Sequence, residues 1–411
     1  MEKLNVYSSF AVFLLGAIAL VVSSGYSAGA AMLVLGSVVL LFKQPRPSLD
    51  RQDWAIIAVL VACFAVYAIE VWWDGQSSRG LDKPSRFLLA VPALLFLLAY
   101  PPRAAYMWAG LAVGAVASGS WAVWQKLVED EARARGFTHV IQYGDLNMLL
   151  GILCLAGLGW AYVQSRARIW MALLLLGGGM GILGSLMSGS RGGWIGFPIV
   201  LWVLYRAYGR HLPRKWLVSL IALILVGGLA VYSIPQLGVQ ARVHEAFDDI
   251  AGFTEQGNAH SSLGARFEMW STAISLIPDK PLFGYGLLGY EQTRDRLIAE
   301  GQASPVIQDY GHVHNEYLDA WLKRGLVGLA ALLALYLVPL RLFARRIQSN
   351  DWTLRAFAVA GMLLPVAYMD FGLSQVFLAH NSGVMMYAFW LVVLWASMRE
   401  RERLLSMRNP A

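Results

Sequence analysis

Charge is scarce in this chain. Asp, Glu, Lys and Arg make up 14% of its 411 residues, where a soluble domain carries about 25%. The polar coat of a water-soluble surface cannot be assembled from so few. Cysteine is scarcer still. Cys63 and Cys154 are the only two, and both fall inside apolar runs, which excludes a disulfide framework and leaves them as packing residues. The signatures of soluble enzymes are missing as well. There is no Walker loop, no GxGxxG beside a strand, no HExxH and no CxxC pair, nor an Asp-x-Asp of the kind that holds a metal-bound sugar nucleotide. No internal repeat or Gly/Ser linker divides the chain.

What is present is apolar length. Hydrophobic residues make up 57% of the chain, in runs over 8–24, 27–42, 54–73, 85–100, 104–127, 145–163, 168–188, 192–209, 214–234, 317–340, 354–371 and 381–398. Most approach the ~20 residues that carry a helix across ~30 Å of hydrocarbon. They are continuously apolar and do not alternate, which implies helices and not a barrel. The fold class expected is therefore an all-α polytopic membrane protein of about 12 spans, residues 1–411 forming one integral domain. Ala28-Gly29-Ala30 has the small residues of a signal-peptide cleavage site, but cleavage there would leave 31–42 too short to begin the topology, so the first run is read as a span.

Charge sets the orientation. With the N-terminus inside, the inner segments hold nineteen of the 33 basic residues, Arg46 among them, but only six of the 26 acidic ones. Every inner loop then carries Lys or Arg, as the positive-inside rule requires, and both termini are cytoplasmic. The net charge of +7 thus reports topology and gives no reason to invoke nucleic acid. The partners implied so far are membrane lipids.

Most loops are short. The stretch 235–316, between the ninth and tenth spans, is long and patterned, and it is expected to form a helical subdomain on the outer face. Trp270, Ala273, Ile274 and Ile277 recur at helical spacing until Pro278 closes the run. Pro281-Leu-Phe-Gly-Tyr-Gly286 reads as a turn, a polar helix follows over 290–300, and another begins near His314.

Three features on the outer side carry chemical potential. Ser188-Gly-Ser-Arg191-Gly-Gly-Trp194 is a tight hairpin whose single charge is Arg191, with glycines that admit a ligand close to the backbone. A snorkelling arginine is the plainer reading. Arg266 opens the amphipathic helix, and an ion pair with a nearby acid would account for it equally well. Guanidinium groups suit diphosphate because their planar fork stays charged and donates several hydrogen bonds. Third, Tyr310-Gly-His312-Val-His314-Asn315-Glu316-Tyr317-Leu-Asp319 places polar residues where a helix enters the membrane. A histidine at a helix N-terminus is biased towards its neutral form and can take a proton from a hydroxyl. A satisfied interfacial cluster remains the alternative, and two histidines two apart are poor evidence for zinc. Asp370, Gln375, His380 and Asn381 form a second outer cluster, better explained by capping and packing than by catalysis.

These motifs in this order (Ser-Arg-Gly-Gly, then Arg-x-x-x-Trp-x-x-Ala, Pro-x-x-Gly-x-Gly, His-x-His-Asn-x-x-Leu and Gly-Leu-Val-Gly) resemble the O-antigen ligase/polymerase superfamily of membrane glycosyltransferases. The resemblance covers residues 185–330, and its architecture without a large C-terminal soluble domain looks like the ligase branch. It implies a GT-C-like fold in the bacterial inner membrane, with the active site on the periplasmic face. It also implies metal-independent, inverting transfer of O-antigen from undecaprenyl diphosphate to a lipid A-core sugar, with no cofactor. His314 would be the base, Arg191 and Arg266 would hold the leaving diphosphate, His312 and Asn315 would orient the base or bind phosphate, and Arg86 would be a further lipid-phosphate contact. An O-antigen polymerase would use the same residues. A transporter or flippase fits less well, because the ionisable residues gather at the outer surface and the spans read as largely uncharged.

Overall fold

The computed structural model describes residues 2–43, 47–235 and 238–408. Arg46 of the inner loops and positions 236 and 237 of the long outer stretch lie outside them. Among the described residues the chain is helical and contains no strand. In order come α1 (Glu2–Ala17), α2 (Gly25–Ser37), α3 (Arg51–Trp73), α4 (Ser85–Ala99), α5 (Ala104–Leu127), α6 (Val140–Ala156) and α7 (Leu158–Tyr162). The second half adds α8 (Ala167–Ser188), α9 (Phe197–Ala207), α10 (Arg214–Ser233), α11 (Val239–Gln256), α12 (Ser262–Leu276) and α13 (Leu287–Ala299). Last are α14 (Glu316–Ala344), α15 (Trp352–Phe371) and α16 (Asn381–Arg408). Eight stretches are long and apolar enough to cross a membrane: α3, α5, α6 with α7, α8, α10, α14, α15 and α16.

The centre of the bundle is α15 and α16, each with 94% of its apolar window buried, flanked by α6. At the other extreme α10 buries none of its window. Its Leu223, Leu225, Val226 and Leu229 are exposed around the helix, an arrangement suited to hydrocarbon and not to water.

Two apolar runs fold differently from their hydropathy. The run 8–24 is not one helix: α1 ends at Ala17, and the chain reverses before α2, with Ser24 at φ 54°. Gly29 of α2 lies against the backbone of Ala11 and Leu15, where a Cβ could not fit, so small residues let the two helices close tightly. The run 192–209 forms a helix only over Phe197–Ala207, after a series of turns. The reading of largely uncharged spans also fails near the end of α3 and the start of α14. Glu70 of α3 and Asp319, Lys323 and Arg324 of α14 are all buried. Arg324 bonds Glu70 at 2.8 Å and lies 3.6 Å from Asp319, which pairs with Lys323 at 2.7 Å. Mutual pairing is what makes four buried charges tolerable.

Within α14 the backbone breaks at Gly325 (φ 63°, ψ −162°). The turn 281–286 fills the break. Tyr285 and Gly286 donate their N–H groups to the Leu322 and Lys323 carbonyls at 2.9 and 2.8 Å, and Leu326 N–H donates to the Pro281 carbonyl at 2.8 Å. Gly284 (φ 70°) and Gly325 face this contact, and a Cβ on either would enter the opposing backbone. That close approach explains both glycine motifs.

The segment from α12 to the start of α14 has its own small core around Met269, Ala273, Leu276, Tyr290, Ile307 and Val313. The α12 stripe read from sequence is rotated slightly. Ala273 and Ile277 are buried as expected, but Ile274 is 59% exposed. Packing against the 303–313 segment selects Ala265, Met269, Thr272, Ala273 and Leu276 instead.

Candidate active site

His314 has the backbone conformation of a strained residue. Its φ of 51° is unusual for any side chain with a Cβ, and that conformation costs about 1–2 kcal/mol. The loop around it is clamped in place at successive peptide groups. Arg294 donates to the Tyr310 carbonyl at 2.7 Å, Lys323 to the Gly311 carbonyl at 2.7 Å, and the Trp270 indole to the Val313 carbonyl at 2.9 Å. Val313 N–H in turn donates to Asp319 at 3.3 Å. Such over-determination is how strain persists in a folded chain. Asn315 is the N-cap of α14, its side-chain oxygen accepting from Tyr317 and Leu318 N–H at 3.1 and 3.0 Å. It therefore fixes the helix entry beside His314.

The His314 Nδ1 is buried without a hydrogen-bond partner among the described residues. The rings of His312 and His314 lie 4.3 Å apart, and His380 lies 5.9 Å from His312. His139 is close enough for its charge to act on both His314 and His380. Burial first, then the charges of His312 and Arg266, push His314 down to about 3. Burial, followed by His312 and Lys83, takes His380 down to about 4. Both imidazoles are thus neutral near pH 7, the form that accepts a proton.

Opposite stand four half-buried arginines. Arg191 lies in the hairpin after α8, held by its neighbours: Ser190 donates to Asp145 at 2.9 Å, and Arg133 donates to the Ser188 carbonyl at 2.7 Å. Arg191 itself donates to the Arg242 carbonyl at 2.6 Å. Arg266 projects from the first turn of α12, and its charge acts on His314 while Arg191 acts on it. Burial and then these like charges lower Arg266, and the same causes bring Arg133 down to about 10. Arg242 pairs with Glu245 at 2.7 Å. Among the described residues Arg191, Arg266 and Arg133 form no ion pair. Like charges gathered in a half-buried place repel one another, and the charges of Asp145 and Asp249 offset this in part at Arg266.

Sequence reasoning did not single out Arg133, Arg242, Asp145 or His139, because each reaches the site from a separate loop or helix. It also set His380 aside as a packing residue, whereas the structure stacks it into the histidine group. Arg86 has an acidic partner of its own. It pairs with Asp82 at 2.9 Å, one helical turn earlier. Among the described residues no three His, Cys, Asp or Glu side chains come together as a metal site.

Residues 176–333 match the family model described as O-antigen ligase. The chain is 29% identical over 375 residues to an uncharacterized protein of Haemophilus influenzae, covering 90% of this chain and 92% of that one. It is 28% identical over 144 residues to an O-antigen ligase of Escherichia coli, covering 34% of this chain and 33% of that protein. The family match opens within α8 and closes within α14, so it encloses Arg191, Arg266 and His314. Over residues 176–333 the chain is thus similar to the O-antigen ligase family, in a protein with several membrane-capable helices.

Proposed function

We propose that this protein transfers O-antigen polysaccharide from undecaprenyl diphosphate to a lipid A-core sugar, as a metal-independent inverting glycosyltransferase. The observation that carries the reading is a strained, buried histidine within the charge field of Arg266, an arginine that forms no ion pair among the described residues. The donor diphosphate lies against Arg191 and Arg266, which stabilise the charge that develops as it leaves. Arg133 and Arg242 add to the same field. His314 takes the proton of the acceptor hydroxyl while its oxygen forms the new bond to the anomeric carbon. The anomeric carbon–phosphate oxygen bond breaks, and the diphosphate departs with the electron pair. A single displacement of this kind inverts the anomeric configuration. His312 and Asn315 hold the base in place.

The field of the arginines also supplies a sequence of events. Without donor, burial first and then the charges of His312 and Arg266 keep His314 neutral but weakly basic. A bound diphosphate offsets that field and raises the basicity of His314 when the hydroxyl has to be deprotonated.

The eight long helices together with the shorter α1, α2, α4 and α9 supply the twelve crossings of a GT-C-like bundle in the bacterial inner membrane. Both termini are then cytoplasmic, and 235–316 forms a periplasmic subdomain within the single membrane domain. The lipid arm of the donor reaches the site through the bilayer and its glycan extends outwards. Purified protein mixed with lipid-linked O-antigen and rough lipopolysaccharide in chelator is expected to yield ligated lipopolysaccharide. No product without added metal would defeat the reading. A deletion strain separates this activity from polymerisation: loss of a ligase accumulates long lipid-linked chains, whereas loss of a polymerase leaves single units ligated.

A further inference from the structure

Beyond His312 lies a cleft of about 380 Å³ that the steps above leave unused, a size within the range of small-ligand sites. Its floor is the set of Glu70, Asp319, Lys323 and Arg324, already neutralised by mutual pairing. Its rim carries two cations against one acid, Glu291. Arg79 and Lys83, from the outer loop between α3 and α4, line the cleft and are exposed, and among the described residues neither forms an ion pair. The Lys83 charge acts on both His312 and His380. His380 also lines the cleft, and its Nε2 is buried without a partner among the described residues. His312 is the shared wall, its ring 4.3 Å from His314 and 5.9 Å from His380.

In a single displacement the attacking hydroxyl and the leaving diphosphate sit on opposite sides of the anomeric carbon. Diphosphate at Arg191 and Arg266 therefore directs the acceptor to the other side of the base, where this cleft lies. We propose that the cleft is the acceptor subsite, and that Arg79, Lys83 and His380 bind an anionic group, phosphate or carboxylate, on the acceptor glycan close to the hydroxyl that reacts. This assignment rests on the transfer reaction proposed above.

The test uses the full-length protein in lipid nanodiscs, without donor. Four probes are compared: a phosphorylated core lipid, the same lipid after chemical dephosphorylation, a core lipid bearing a uronic acid in place of phosphate, and undecaprenyl diphosphate. An Arg79→Gln/Lys83→Gln double variant, changed only at exposed positions, is expected to bind the phosphorylated lipid about tenfold more weakly, as loss of two charge-assisted contacts implies. Its affinities for the dephosphorylated lipid and for undecaprenyl diphosphate are expected to match the unaltered protein. Retained discrimination with the uronic acid lipid identifies a general anion site, and its loss identifies a phosphate site. Equal weakening with all probes, unchanged binding of the phosphorylated lipid, or no binding of core lipid to the unaltered protein would overturn the assignment. If discrimination by Lys83 and Arg79 is found but the transfer assay with lipid-linked O-antigen and rough lipopolysaccharide gives no product, the cleft stands as an anionic-glycan site and the reaction proposed above fails.

Discussion

Two clusters of charge flank the histidine loop, and they are built on opposite plans. The inner quartet of Glu70, Asp319, Lys323 and Arg324 balances two acids with two bases, all buried and bonded to one another. The arginine group of Arg133, Arg191, Arg242 and Arg266 holds four cations, and among the described residues Arg242 alone of them forms an ion pair, with Glu245. A balanced buried set holds structure, because removing one member strands another. An unbalanced set is held in readiness, because its like charges repel until an anion arrives. The histidine loop lies between them, clamped by the first cluster and facing the second.

The comparison predicts opposite consequences for arginine removal. Arg266→Ala and Arg191→Ala are each expected to lower turnover about 10²–10³-fold, the loss seen when a charge-stabilising donor is deleted. Thermal unfolding in detergent should show no destabilisation, since a repelled cation has been removed. Clear destabilisation with turnover intact would place these arginines in the structural class. Arg324→Leu is expected to behave the other way, costing about 3–5 kcal/mol through stranded Glu70 and Asp319. Adding Glu70→Gln should recover part of that loss, and failure of the second change to help would break the idea of a balanced set.

A smaller effect tests the joint between the loop and α14. Gly325→Ala forces a side chain into a positive-φ site against the Leu282 backbone and is expected to cost about 1–3 kcal/mol. An unaltered unfolding midpoint would show that the turn 281–286 does not depend on the break.

A further effect is a pH slope. His314 is pushed down to about 3 and His380 to about 4, against about 6.5 for an unfolded histidine. Between those limits the unfolded chain binds more protons, so stability falls as the pH drops from about 6.5 towards 4. His314→Gln with His380→Gln should flatten the slope of the unfolding midpoint over that window. An identical slope in the double variant would place these histidines in ordinary solvent.

Much of this was legible in the amino-acid sequence, and the limits have physical causes. A membrane helix announces itself by apolar length, so α3, α5, α8 and α15 needed no tertiary information. Hydropathy cannot show where a helix stops inside an apolar run, which is why the early end of α1 and the late start of α9 were not visible. Local motifs carried Arg191, Arg266, His312, His314 and Asn315, because each sits in a turn or cap whose chemistry is written in neighbouring residues. Arg133, Asp145, Arg242 and His139 were not legible, since nothing local distinguishes them from other polar residues near helix ends. The Glu70–Arg324 pair joins positions 254 apart, and only the packing of α3 on α14 brings them together.

The central claim is that one diphosphate sits on the arginines while His314 serves as base. Donor binding and glycan transfer, measured side by side in His314→Ala and Arg266→Ala, test it most directly. The account predicts that His314→Ala binds the lipid-linked donor as tightly as the unaltered protein yet transfers nothing, while Arg266→Ala binds it weakly. Full transfer by His314→Ala, or undiminished donor binding by Arg266→Ala, would contradict it.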